Sequence, residues 1–165
     1  MSEFLQSAVD VIRDSFWVKE VTLGLRSRSD GLYRYEVMAG LTDVSWEAHK
    51  QLAYTLEQCE DPERYTFAQI SSLTRLFLVE DNPYGKDEES TFNRELMLQS
   101  SRKSLDGTIE GDYIDVRILG KGGALLGWIE LSGTTDGKFL DVHTIKCLEL
   151  LASVLGIALT FSETR

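Results

Sequence analysis

Two stretches of this chain alternate apolar and polar residues with period two, and each is interrupted by a glycine-containing turn. In residues 17–27, Val21, Leu23 and Leu25 fall on one parity and Thr22, Gly24 and Arg26 on the other. Side chains on a strand alternate between faces, so this is the pattern of a strand with one buried side. Ser29-Asp30-Gly31 is a turn signal, because glycine accepts positive φ at no steric cost. A strand at 32–39 follows, so 17–39 reads as a β-hairpin ended by Gly40. The second hairpin pairs Tyr113 to Leu119, with Ile114, Val116 and Ile118 on one face, with Leu125 to Leu131 through Gly120-Lys121-Gly122-Gly123.

Both ends of the chain carry helical spacing instead. Leu5, Ala8, Val9 and Ile12 recur at intervals of three and four within 2–15, behind a Ser2 cap and a Glu3 suited to the positive first turn. Val142, Ile145, Leu148, Leu151/Ala152, Leu155 and Leu159 form one stripe on a helix capped by Asp141 and running to about Phe161. Two hairpins imply a largely antiparallel sheet. Two end helices, each with one apolar stripe, imply a layer on one face of it.

The middle is less patterned. Asp43 or Thr42 caps a short helix to about residue 53, and Pro62 suits the start of another. Leu76-Phe77-Leu78-Val79 reads as a short strand, 80–90 as a polar loop, 91–103 as a helix bearing Phe92, Leu96 and Met97, and 105–111 as a loop. With 165 residues and no internal repeat or low-complexity linker, the whole span 1–165 is expected to be one domain.

Charge and composition exclude several functions. Twenty-seven acids against 17 bases leave a net charge of −10 and no basic stripe. Phosphate backbones and anionic membranes are therefore poor partners, so neither nucleic acid nor membrane binding is expected. The apolar run near the C-terminus reads as too short and interrupted to span a bilayer, and no signal-peptide pattern is present. A cytoplasmic location is the expectation. Cys59 and Cys147 are far apart and unpatterned, which is neither a disulfide framework nor a zinc site. His49 and His143 read as helix-surface residues, with no acid–His spacing for a metal or a triad. The glycines at 120–123 join two strands, unlike a phosphate loop at a strand–helix junction. No enzyme is expected, and no cofactor is named by any motif.

Gly123-Ala-Leu-Leu-Gly-Trp-Ile-Glu-Leu-Ser132 and the helix Thr144-Ile145-Lys-Cys-Leu-Glu-Leu-Leu-Ala152 resemble the corresponding strand and closing helix of the GAF domain family. The first hairpin, with Ser29-Asp30-Gly31 and Gly40, is similar to that family's first one. Ile70-Ser71-Ser72 and Asp112-Tyr113-Ile114 resemble a subgroup in prokaryotic signalling proteins, with Ser72 and Arg117 standing where that subgroup has Arg and Pro. The resemblance implies an α/β (α+β) fold: a central antiparallel sheet of five or six strands with the N- and C-terminal helices on one face. It also implies a small-molecule pocket on the other face and signalling through terminal helices that commonly dimerise. The family's cyclic-nucleotide constellation and its bilin-attachment cysteine context are not recognisable.

On that basis the pocket floor is expected at Tyr113, Asp115, Arg117, Trp128 and Glu130, with walls from Phe67, Phe77, Tyr84 and Phe92. Strand parity also puts Arg26, Arg34 and Glu36 on the face of Asp115, Arg117 and Glu130, where opposite charges can pair across strands with no ligand. The face is thus either a polar ligand pocket or a self-satisfied surface. Leu150, Val154, Ile157 and Phe161 flank the stripe of the last helix and are expected to meet a second copy; the alternative is a monomer whose wide stripe covers a curved sheet. The functional expectation is a sensory or regulatory module that binds a small molecule, forms a homodimer and contacts a signalling protein. The alternative is a protein–protein or dimerisation module with no ligand.

Overall fold

The computed structural model describes residues 2–82, 86 and 88–162. The elements are α1 (Ser2–Phe16), β1 (Val18–Arg26), β2 (Tyr33–Ala39), α2 (Asp43–His49), α3 (Leu56–Glu60), β3 (Ala68–Gln69), β4 (Thr74–Phe77), α4 (Arg94–Gln99), β5 (Tyr113–Leu119), β6 (Leu125–Thr134) and α5 (Val142–Ser162). The strands form one six-stranded antiparallel sheet in the order β2-β1-β6-β5-β4-β3. Both hairpins, both end helices and the antiparallel sheet match the sequence reading.

The main core lies between the sheet and the two end helices. Leu5, Val9 and Ile12 of α1 bury against Val21 and Leu23, while Leu148, Ala152 and Leu155 of α5 share that core with Val116, Ile118 and Ile129. Asp141 caps α5, its Oδ1 accepting from the backbone N–H groups of His143 (2.8 Å) and Thr144 (3.0 Å). Near the other end of α5, Gly156 lets the helix backbone ride directly on the sheet: a Cβ there would fall 2.2 Å from the Leu119 carbonyl oxygen. Helix propensity alone predicts that Gly156→Ala stabilises by about 1 kcal/mol. The contact with an unyielding backbone atom reverses the sign, and we expect a lower melting temperature by circular dichroism.

α5 has 21 residues and a mean hydropathy of 1.7, long and apolar enough by length and composition to cross a bilayer. The expectation that this segment is too short therefore does not hold. What distinguishes its two sides is burial: Leu148 is fully covered, whereas Leu150, Val154, Ile157 and Phe161 are 66, 51, 59 and 70 % exposed.

The first hairpin departs from simple parity. Leu23 pairs with Val37 but Gly24 pairs with Tyr35, so Glu36 is an extra residue in β2. A bulge of this kind reverses the face that the strand presents. Val37 and Ala39 enter the helix-side core, whereas Tyr33 and Tyr35 turn to the opposite side of the sheet. Arg34 and Glu36 therefore do not join Asp115 and Glu130. Arg34 instead forms an exposed pair with Asp30 at 2.7 Å, and Glu36 faces solvent.

The middle of the chain also differs from expectation. Thr42 caps α2, its hydroxyl accepting from the Ser45 N–H (3.2 Å), and α2 stops at His49. No helix begins at Pro62. Thr55 starts α3 earlier through a capping box with Gln58, at 3.2 and 2.9 Å. The residue before a proline is pushed out of helical geometry, and Asp61 is extended (φ −76°, ψ 108°). β4 is shifted two residues upstream of the expected 76–79, and α4 covers only part of 91–103, capped by Asn93.

Candidate functional site

On the face away from α1 and α5, four polar residues lie side by side across four strands. Thr22 of β1 is the cross-strand partner of Glu130 on β6, Glu130 of Asp115 on β5, and Asp115 of Arg75 on β4. The neighbouring row brings Glu20, Ser132, Tyr113 and Phe77 together, with Phe77 and Tyr113 stacked at 4.4 Å between ring centroids. On the other side Trp128 lies across Gly24, where a Cβ would come within 2.5 Å of the indole. Tyr33 stacks on Trp128 at 5.8 Å, and Tyr35 meets it edge-on at the same distance.

The segment between β2 and β5 roofs this floor. His49 and Leu52 follow from α2, Tyr54, Gln58 and Cys59 from the start of α3 and its approach, and Tyr65, Phe67, Glu88 and Phe92 from the connecting loops. Together they bound a cavity of about 100 Å³. That is room for a few waters or one compact small molecule. Of the expected site residues, Phe67, Phe77, Phe92, Tyr113, Asp115, Trp128 and Glu130 line it. Tyr84 lies outside the described residues. Arg117 does not line it: beyond Trp128 in the sheet, its guanidinium contacts the Glu60 carboxylate at the end of α3. Sequence reasoning missed Thr22, Arg75 and Tyr35, and its reading of His49 as a helix-surface residue does not hold, because His49 is buried against the pocket. Parity alone would find Thr22, which alternates with Val21 and Leu23, whereas the bulge at Glu36 hides Tyr35.

The electrostatics follow from burial. Arg75 and Asp115 form an ion pair with 7 and 5 % exposure. Arg75 also donates to the Cys59 carbonyl (3.0 Å), and its guanidinium lies 5.2 Å from the Phe67 ring and 5.5 Å from Phe77. Burial pushes the Asp115 carboxyl up, and Arg75 opposes that rise. Among the described residues Asp115 Oδ1, Thr22 Oγ1 and the Arg75 Nε have no hydrogen-bond partner. Buried oxygens in that state cost roughly 1–3 kcal/mol each. Glu88 is held from three sides: it accepts from the Tyr54 (3.1 Å) and Tyr65 hydroxyls, and Arg64 stands 3.8 Å away.

Glu130 accepts from the Tyr35 hydroxyl at 2.8 Å, with His49 Nε2 4.0 Å from its other oxygen. Burial pushes Glu130 up to about 8, helped by the like charges of Asp115, Glu20 and Glu88. Burial, then the charge of Glu110, pushes Glu20 up to about 7. Burial drives His49 down, so its ring is neutral at pH 7. The sign for stability is fixed by these directions. Folded Glu130 keeps a proton that the unfolded chain releases near pH 4.5, so its contribution is complete below about 4.5 and is lost as pH rises through about 8. Urea unfolding should show falling stability from pH 5 to 8.5, and Glu130→Gln should flatten that slope. An unchanged slope would show that Glu130 ionises normally.

Two chemistries are disfavoured by geometry. Burial pushes the Cys59 thiol up to about 12, opposite to what a reactive thiolate needs. Cys59 faces the cavity, whereas Cys147 is exposed on α5 across the sheet, so the two cannot act as a pair. Among the described residues no group of three His, Cys, Asp or Glu side chains is arranged to hold a metal.

No protein-family model matches this sequence, and no curated protein matches it either. Solved structures do. The GAF domain of an Acinetobacter phosphoenolpyruvate-protein phosphotransferase is 12 % identical with a TM-score of 0.59, covering 99 % of this chain and 84 % of that one. A methyl-accepting chemotaxis protein, residues 122 to 287, is 13 % identical with a TM-score of 0.56, covering 96 % and 87 %. The type II free methionine-R-sulfoxide reductase of Thermoplasma acidophilum is 14 % identical with a TM-score of 0.52, covering 94 % and 92 %. Further matches over nearly the whole chain are again GAF domains. The six-stranded antiparallel sheet with the end helices on one face, matched end to end by these structures, gives this chain a GAF-like fold.

Proposed function

We propose that this chain is a sensory or regulatory domain, without catalytic activity, that binds a small molecule in the roofed pocket and signals through its terminal helices. The observation that carries the reading is the pocket itself: a cavity floored by a polar row, with two buried oxygens that none of the described residues satisfies. Buried polar atoms are ordinarily hydrogen-bonded, so an unsatisfied pair beside a cavity favours an external partner. GAF domains and a chemotaxis protein among the structural neighbours support a signalling role by likeness of fold. The neighbouring reductase shares that fold, and the separation of Cys59 from Cys147 argues against a paired-cysteine chemistry here. Native mass spectrometry of freshly purified protein, with an absorbance spectrum into the visible, tests the reading. A stoichiometric extra mass or a visible band supports it. A clean apo mass with no band favours the second reading, an interaction module without a ligand.

Signalling is assigned to α5. Leu150, Val154, Ile157 and Phe161 are spaced four, three and four apart and are exposed, the repeat of a helix–helix seam. A second copy packing there would put the seams of two α5 helices together, and ligand occupancy would bias their arrangement through its differential affinity for two states. Phe161→Asp should then convert a dimer to a monomer by light scattering with little loss of fold. A wild-type monomer would end the dimer reading and leave the seam to a different protein.

A further inference from the structure

We infer that the pocket ligand is a small organic cation, an ammonium group set against Glu130 with its carbon atoms among Tyr35, Trp128 and Tyr113. This rests on the ligand-binding reading above and names the chemistry of that ligand. Charge is the first argument. Glu20, Asp115 and Glu130 all line the cavity. Among the described residues Arg75 is the guanidinium that lines it; its two terminal nitrogens are engaged by Asp115 and the Cys59 carbonyl, while its Nε is buried without a partner. An anionic ligand would meet three carboxyl groups against one guanidinium whose charge Asp115 already offsets. A positive ligand instead supplies the counter-charge that burial of Glu130 lacks, since the neutral His49 ring does not.

Hydrogen-bonding polarity is the second argument. Thr22 and Asp115 are the cross-strand neighbours of Glu130 on either side, and both are more than nine-tenths buried (3 and 5 % exposed). Both residues line the same cavity, and Thr22 Oγ1 and Asp115 Oδ1 have no hydrogen-bond partner among the described residues. Cross-strand neighbours stand about 5 Å apart at Cβ, so these oxygens and Glu130 form one polar row within reach of a single ligand group. Asp115 Oδ1 and an ionised Glu130 accept, and the Thr22 hydroxyl can accept; an ammonium N–H donates to them, and its charge favours the ionised Glu130, whose proton leaves to solvent. The aromatic walls are the third argument: ring faces attract cations, most strongly where the pair is shielded from water. The volume of about 100 Å³ limits the ligand to a few heavy atoms.

The test titrates the full chain with n-butylammonium and tetramethylammonium, and with 1-butanol and butyrate as neutral and anionic counterparts, at constant ionic strength. Calorimetry and NMR shifts of Trp128 give affinities. Both cations should bind more tightly than 1-butanol and butyrate by about tenfold or more. Glu130→Gln, which leaves Tyr35 an acceptor, should remove most of that preference. Thr22→Val should weaken n-butylammonium but not tetramethylammonium, which has no N–H to donate. This second variant carries the test if Glu130→Gln does not fold. Cations binding no better than 1-butanol, or equally well to Glu130→Gln, would overturn the proposal. Preferred binding of butyrate or 1-butanol would overturn the cation and leave the ligand pocket standing. No binding by any probe, together with a clean apo mass, would overturn both.

Discussion

Arg75→Ala should destabilise the protein by about 3–5 kcal/mol, because it strands Asp115 in the sheet face without its counter-charge. For a chain of this length that is a fall of roughly 6–20 °C in melting temperature. The loss has a pH signature. Without Arg75, burial raises the Asp115 carboxyl further, so the folded variant keeps a proton that the unfolded chain releases. The cost should be smallest in acid, where Asp115 is protonated in both states, and should grow as pH rises towards 8. A double variant, Arg75→Met with Asp115→Leu, removes both charges and should recover most of the stability, since a buried pair is often matched by apolar residues of similar volume. Urea unfolding at pH 5 and pH 8 checks all three statements. An Arg75→Ala variant as stable as wild type at pH 8 would mean that water already reaches Asp115.

Leu148→Ala should cost about 2–5 kcal/mol by urea unfolding. Leu148 is fully buried between α5 and the sheet, and the close approach at Gly156 leaves the helix little freedom to settle into the void. Leu150→Ala, two residues along and two-thirds exposed, should change the unfolding free energy by no more than about 0.5 kcal/mol. If α5 is the dimer seam, Leu150→Ala should instead raise the dissociation constant. Comparable losses for the two variants would mean that the outer side of α5 is as tightly packed as the inner.

Much of this fold was legible because its determinants are local. The alternation of Val21, Leu23 and Leu25, the turn at Ser29–Gly31, the cap at Asp141 and the stripe through Leu148 and Leu155 each depend on residues a few positions apart. The strand positions Tyr113, Asp115, Trp128 and Glu130 were reachable by the same counting, since β5 and β6 keep a regular register between them from Tyr113↔Ser132 to Ile118↔Gly127.

Where counting failed, a distant partner decided. In β2 alternation alone places Arg34 and Glu36 beside Glu130; pairing with β1 expels Glu36 into a bulge and delivers Tyr35 to the pocket instead. Arg75 stands in a four-residue strand whose meaning appears only when it pairs with β5 and finds Asp115. The sequence by itself determined the two hairpins and the two end helices, and the apolar sides of β1, β5, β6, α1 and α5. Only the tertiary structure decided which polar groups share the pocket, because the energy of a buried charge is set by its neighbours in space and not by its neighbours in the chain.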